Sequence, residues 1–309
     1  LCSTDWRSGP MVGISPYKDS DAREVANLLC QVPELPDISE EGVRAFASQS
    51  RNQGGRDFLV VRVEDQVVAY VTSTLVDGDR PVRHARIAVH PDFRRHGLGT
   101  RLLHELLEQE APPGTVLQGG IHASWTSARH FVEAKGFSVT PVDLLMRRGA
   151  QDVPVEVPRG VWLRRGRAGD DGRWIELEKH GFGHRDDFVP PTEQDLAISK
   201  SASGFALVVA EVERRVVGLC HGGVARSGEG AIYSVVVEEP HRGRRIGKAL
   251  TATMLGRLRE NGAEQVRLNV AVENERAISL YEGLGFHEHD RLWRCRLPAD
   301  PSRPSPLEQ

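Results

Sequence analysis

Cysteine is scarce and scattered in this chain. The four cysteines among 309 residues (Cys2, Cys30, Cys220, Cys295) form no CxxC pair and no Cys/His metal spacing. That pattern excludes a zinc module and a disulfide framework, and it sets a reduced, cytoplasmic compartment as the expectation. Long apolar runs are missing too. None approaches the ~18 residues of a membrane span, so neither a membrane partner nor a secretory leader is expected. Charge of one sign is not in excess: the formal net charge is −3. A near-neutral balance excludes the global basic field that draws proteins to nucleic acid. What remains is a soluble globular composition, with 39% hydrophobic and 27% charged residues. The length suits two domains of ordinary size.

What is present in strength is one stretch, used twice. Val235 to Leu250 reads VVVEEPHRGRRIGKAL. The β-branched run Val235, Val236, Val237 predicts a buried strand. Pro240 ends it, because proline has no N–H for a ladder. Arg242, Gly243, Arg244, Arg245, Ile246 and Gly247 then form a basic turn ahead of a helix opening with Lys248, Ala249 and Leu250. A helix N-terminus offers unpaired N–H groups and partial positive charge, glycine lets the backbone approach closely, and the arginines add formal charge. Such a turn reads as a pyrophosphate cradle. Val89 to Leu102, VHPDFRRHGLGTRL, repeats the order: a strand ending at Val89, Pro91, a turn through Arg94, Arg95, His96, Gly97, Leu98 and Gly99, and a helix from Thr100. Val237 lies 148 residues after Val89 (237 − 89). A repeat of half the chain means two copies of one domain.

The rest of the chain fits that division. The first copy is expected over residues 1–148, with an N-terminal strand or arm, helices over Asp19–Gln31 and Ser39–Gln49, a hairpin turning at Glu64-Asp65-Gln66, and closing strands over Val139–Arg147. Residues 149–160, with two prolines and two glycines, read as a linker. The second copy is expected over 161–298, with a matching hairpin at Glu213-Arg214-Arg215, a helix over Glu275–Gly283 and a last strand over Arg291–Leu297. A proline-rich tail over 299–309 reads as disordered. The fold class is α/β (α+β), two tandem domains, each a twisted mixed sheet flanked by helices.

These residues resemble the GNAT superfamily of N-acetyltransferases, twice over. That signature is Arg or Gln, two residues, Gly, one residue, then Gly or Ala, between a strand and a helix. Arg94 to Gly99 fits fully; Arg242 to Gly247 fits except that Arg245 stands where the first glycine belongs. A second signature, an Asn, a helix carrying a Tyr and a Gly-Phe end, is matched by Asn274, Tyr281 and Gly285-Phe286. The resemblance implies acetyl-CoA, or another acyl-CoA, as donor. It implies that the turn holds the CoA pyrophosphate, that Val235 to Val237 pair with the pantetheine arm, that Tyr281 donates a proton to the leaving thiolate, and that Asn274 contacts CoA or orders the site. It further implies direct transfer to an amine. A phenol near the leaving thiolate and N–H groups near the carbonyl suit that chemistry.

A general base must take a proton from the acceptor. The family often places a Glu in the strand before the turn, and Ala231, Ile232, Tyr233 and Ser234 supply none. His221, one strand earlier, is the candidate, with Glu229 and Glu238 behind it. In the first copy, Val132 falls opposite Tyr281 and Trp125 opposite Asn274, so that copy is expected to be non-catalytic, either binding CoA through its intact turn or only shaping the acceptor cleft. A small-molecule amine is the expected acceptor, in a cleft that the loop His184–Pro191 (with Arg185, Asp186, Asp187) could line. The other readings are acetylation of a cysteinyl sugar and an acyl-CoA sensor without turnover. No metal is expected, and the chain is read as a monomer or homodimer.

Overall fold

The computed structural model describes residues 13–32, 38–48, 57–64, 66–76, 81–185, 188–202, 204–225 and 227–298. The expected arm over 1–12, the tail over 299–309 and the loop residues Asp186 and Asp187 lie outside the described residues. Two compact units divide the chain: Leu1–Thr140 with Trp293–Gln309, and Pro141–Leu292.

In the first unit, β1 (Gly13–Pro16), β2 (Phe58–Val63), β3 (Gln66–Val76), β4 (Val82–Val89) and β5 (Val116–His122) lie side by side in chain order. The first four are antiparallel neighbours, and β4 and β5 run parallel. Helices α1 (Ala22–Gln31), α2 (Glu40–Ala47), α3 (Leu98–Leu107) and α4 (Thr126–Ala134) cover the sheet. On α1 the apolar residues Val25, Leu28 and Leu29 recur at helical spacing, and all are buried. Ser39 caps α2 by accepting from Gly42 N at 3.1 Å. Leu98, Leu102, Leu103 and Leu106 of α3 pack on the opposite face, against Val61, Val68 and Val71.

The strand β6 (Ser138–Gly149) leaves the first unit at Thr140. From Asp143 to Gly149 it pairs antiparallel with β11 (Gln265–Ala271), inside the second unit. The strand next to β5 in the first unit is instead the end of β12 (His287–Pro298), from Trp293 onward. Arg296 Nε donates to Gln118 Oε1 there at 2.7 Å. The closing strands expected at Val139–Arg147 and Arg291–Leu297 thus serve each other's sheets. Each meets an open sheet edge, and the strand's own residues do not choose between the two edges.

In the second unit, β7 (Trp162–Arg165), β8 (Ala206–Val212), β9 (Arg215–Val224), β10 (Glu229–Val237), β11 and β6 follow in that spatial order. Helices α5 (Asp171–Phe182) and α6 (Glu193–Ser201) pack on one face, around Trp174, Leu177 and Leu219. Helices α7 (Ile246–Glu260) and α8 (Glu275–Glu282) pack on the other, around Leu250, Met254 and Leu268. The segment 151–159 carries no helix or strand. Among the described residues, no helix is long and apolar enough to cross a membrane.

The copies share small devices as well as the sheet. Asp21 accepts from Lys18 N at 2.9 Å, and Asp170 from Arg167 N at 2.7 Å, at the start of the first helix of each copy. Asp21 is then paired with Arg62 of β2, whereas Asp170 is paired with Arg164 of β7. The same cluster is built with the arginine moved one strand over.

Candidate active site

In each unit the two parallel central strands separate. β10 pairs with β11 only from Glu229–Ile232 to Gln265–Leu268. Beyond that point Ser234 to Val237 pair with β9 alone, while β11 continues along β6. β4 pairs with β5 only over Val82–His84, although it runs to Val89. Each gap leaves one backbone edge of a strand without a strand partner, an edge that an extended chain can join. Val235 and Val237 face the α7 side of that gap, and Val236 packs toward α5.

The gap leads to the basic turn. Arg242 Nε folds back onto Val237 O at 2.9 Å, and Arg94 Nε onto Val89 O at 3.2 Å. Both turns need a left-handed backbone at the second and fourth residues. Those are Arg95 and Gly97 in the first copy (φ 67° and 82°), and Gly243 and Arg245 in the second (φ 82° and 61°). Each copy therefore spends one glycine on two left-handed positions, and the choice is reversed. Arg245, which breaks the sequence signature, adopts the conformation that the glycine would. A left-handed conformation costs a side-chain-bearing residue roughly 1–2 kcal/mol. Replacing Arg245 with Gly is expected to raise the unfolding free energy by about 1 kcal/mol once glycine's own entropy is set against that cost. The same variant loses a cation at the cradle and should bind acetyl-CoA more weakly; thermal unfolding and calorimetry check the two effects.

Helices α3 and α7 open directly from these turns, with no side-chain cap and no acidic residue in the first turn. The N–H groups of Ile246, Gly247 and Lys248 face outward from the start of α7, and the first intrahelical bond of that helix is from Ala249 N to Arg245 O. In the first copy Leu98, Gly99 and Thr100 stand in the same place, with His96 in the turn. Arg244, exposed, bonds to His241 Nδ1 at 3.1 Å.

Tyr281 lies near the end of α8, 8% exposed, edge-on to Phe286 at 5.9 Å. Burial raises its pKa, and the neighbouring Cys220 adds to the rise, so the hydroxyl stays protonated at neutral pH. Asn274 caps α8: its side-chain oxygen accepts from Ala277 N at 3.1 Å. In the first copy Trp125 takes that position with a similar backbone but no side-chain cap, and Val132 stands where Tyr281 would.

His221 belongs to the opposite face of the sheet. It pairs across β9 and β10 with Ser234, two residues past the last pairing with β11. Its ring packs on Trp174 (4.6 Å), Tyr233 (5.7 Å) and Phe205 (6.4 Å). Tyr233 is the extra residue of a bulge: Ile232 pairs with Gly222 and Ser234 with His221, leaving Tyr233 unpaired and 62% exposed. In β4 the same stretch pairs without interruption. His221 Nε2 lies 3.1 Å from Glu178 Oε1, on α5. The same oxygen accepts from Trp174 Nε1 at 2.9 Å. Burial pushes the Glu178 carboxyl up, but the hydrogen bond and charge of His221 and the bond from Trp174 outweigh it, and the net shift is downward.

The structure thus brings Tyr281 and His221 to the two sides of one gap, with the turn at its end. Glu229 and Glu238, the other candidate bases, are engaged elsewhere: Glu229 with Arg147 and Arg267, Glu238 with Arg173 and Arg215. Glu178 and Trp174 escape the sequence reading. The available signal was a Glu on the core-facing side of a helix, where the first copy has Leu29. Among the described residues no cluster of His, Cys, Asp or Glu could hold a metal ion.

Residues 172–286 match the acetyltransferase (GNAT) family, and residues 54–139 match an acetyltransferase (GNAT) domain. A mycothiol acetyltransferase of Streptomyces griseus subsp. griseus is 32% identical over 271 residues, 83% of this chain and 85% of that protein. The mycothiol acetyltransferase of Sanguibacter keddieii is 29% identical over 299 residues, 89% and 92% of the two chains. Among solved structures, a GCN5-related N-acetyltransferase from Sphaerobacter thermophilus superposes with a TM-score of 0.69 at 27% identity, covering 94% of this chain and 97% of that one. The chain belongs to the GNAT family of N-acetyltransferases, with two GNAT domains in tandem.

Proposed function

We propose that the second unit transfers an acetyl group from acetyl-CoA directly to a primary amine of a small-molecule acceptor. The observation that carries this reading is the gap between β10 and β11, with a protonated Tyr281 on one face and His221 on the other. The residues present suit acetyl-CoA. The free edge of Val235–Val237 can pair with the pantetheine amides, and the uncapped start of α7 with Arg242, Arg244 and Arg245 can hold the pyrophosphate. In that arrangement His221 accepts a proton from the acceptor and Tyr281 donates one to the departing sulfur. Asn274 acts by fixing the start of α8, which carries Tyr281.

The first unit keeps the gap and the turn formed by Val89, Arg94, Arg95, Gly97 and Gly99. It has Val132, Trp125 and Thr72 where the second has Tyr281, Asn274 and His221. We assign it no chemistry, and its turn is a second place for CoA to bind.

Among acceptors, the similarity to mycothiol acetyltransferases over most of the chain favours a cysteinyl sugar whose cysteine carries the free amine. The test is to incubate the full chain with acetyl-CoA and either that cysteinyl sugar or a panel of simple primary amines. Free CoA and products are followed by mass spectrometry. The reading predicts one acetyl group per acceptor, on nitrogen, and fastest on the cysteinyl sugar. CoA release with no amine in either set, or acetylation on sulfur alone, contradicts it.

A further inference from the structure

A buried carboxylate needs a reason. Glu178 is 8% exposed, and among the described residues it pairs with no arginine or lysine. Its two bonds come from Trp174 Nε1 and His221 Nε2. Such a group is costly to bury. The fold does not require it, because the first copy fills the matching position with Leu29, also buried in its core. The residues around Glu178 differ in the same way. Trp174 corresponds to Val25 and His221 to Thr72, and the bulge at Tyr233 has no counterpart. Every one of these changes occurs in the copy that carries Tyr281 and Asn274. They form one set, present where the chemistry is placed and absent where it is not.

The hydrogen bonding then fixes a proton. An ionised carboxylate only accepts, so the bond between His221 and Glu178 exists only if Nε2 carries the hydrogen. Neutral His221 must therefore hold its lone pair on Nδ1. That atom is buried and makes no hydrogen bond. The exposed ring of Tyr233 packs beside the imidazole.

We propose that Glu178 is a positioning residue: it holds His221 in the Nε2–H tautomer so that Nδ1 receives the proton of the acceptor's ammonium. The proposal rests on the reading of His221 as the base. In the step itself one N–H proton passes from the ammonium to Nδ1, and the freed nitrogen lone pair forms the N–C bond to the acetyl carbonyl. The C–S bond breaks, its electron pair stays on sulfur, and sulfur takes the Tyr281 proton. The second proton lost from nitrogen restores Tyr281, and His221 returns its own to water. The positive charge on the imidazole in that sequence rests against the Glu178 carboxylate, as an orienting acid does for a histidine base elsewhere.

The test uses the full chain labelled with ¹⁵N-histidine, in Glu178→Gln, Glu178→Leu and His221→Asn variants. Long-range ¹H–¹⁵N spectra report the tautomer without any acceptor. The wild type should show the Nε2–H form at His221, and Glu178→Leu, which removes the acceptor, should lose that fixed tautomer. With the cysteinyl sugar or the fastest panel amine as probe, Glu178→Gln should lower kcat about 10- to 100-fold, a part of what general base catalysis contributes, while KM for the amine holds. Glu178→Leu, copying the first unit, leaves the Trp174 and His221 N–H groups without their acceptor, so its Tm should fall, and it should show the same low kcat. A Glu178→Leu variant with wild-type tautomer, or a Glu178→Gln variant with wild-type kcat, overturns the positioning role. A His221→Asn variant with wild-type kcat overturns the base reading instead.

Discussion

Replacing Tyr281 with Phe should lower kcat by about 10²–10⁴-fold, the usual contribution of a positioned acid or base, and leave acetyl-CoA affinity unchanged. The substitution removes one oxygen. Among the described residues the hydroxyl makes no hydrogen bond, so its loss orphans no partner, and the ring keeps its edge-on contact with Phe286. Tm should therefore stay put. Affinity should stay put because the turn and the free strand edge, where the bulk of the donor is expected to bind, are untouched. The effect is confined to the departing sulfur, which loses the donor that stabilises its developing charge. CoA release followed continuously against acceptor concentration gives kcat, and calorimetry gives the affinity. A Tyr281→Phe enzyme with unchanged kcat would remove the acid role from this residue.

Gly222→Ala should be the most damaging single methyl group in the second unit's sheet. Gly222 pairs with Ile232 at the edge of the bulge, next to His221. A Cβ there would stand 2.3 Å from Ala231 O, a backbone atom that cannot swing aside. β9 and β10 must part for it to fit. Overpacking of this kind typically costs about 1–3 kcal/mol, which for a unit of this size lowers Tm by roughly 2–4 °C per kcal/mol. The strain also falls on the pairing that aims Tyr233 and His221, so kcat should fall along with Tm. Gly218→Ala, whose Cβ would meet Val236 O at 2.9 Å, serves as a milder comparison at the other end of the pair. Thermal unfolding of both variants, with Gly222→Ala at or above Gly218→Ala in Tm, would contradict the close approach of strands at the bulge.

Much of this arrangement is legible in the sequence because it is local. The Val-rich strand, the Pro, the arginines with a glycine and the following helix are neighbours in the chain, and they are neighbours in space. Asn274 and Tyr281 are likewise tied by a single short helix. The left-handed backbone of Arg245 is less visible, since an arginine says nothing of its φ; only the internal alignment with Gly97 hints at it. The bulge is one residue long. It is written as a slip in the internal repeat, from 147 residues between Val82 and Glu229 (229 − 82) to 148 between Val89 and Val237 (237 − 89). That difference means nothing until the strand pairings are known. Glu178 is hidden for another reason. A glutamate in a helix with Glu176 and Lys179 beside it reads as part of a solvated face, and only packing against Trp174 and His221 shows that it points inward. The exchange of closing strands was beyond reach, because pairing over more than a hundred residues is decided by the edge available and not by the strand's own letters.

On the proposed reading, the second of the two GNAT units carries the reaction. Gly99 and Gly247 hold equivalent places in the first turns of α3 and α7. Neither has a positive φ, and a Cβ at either meets its neighbours at 3.4–3.5 Å. A glutamate at that position suits a helix N-terminus, so folding should survive, yet its charge opposes a pyrophosphate. The decisive measurement is the rate of acetyl transfer by Gly99→Glu and Gly247→Glu at fixed acetyl-CoA. Gly247→Glu should lose transfer and Gly99→Glu should retain it. Transfer lost in Gly99→Glu and retained in Gly247→Glu would move the chemistry to the first unit.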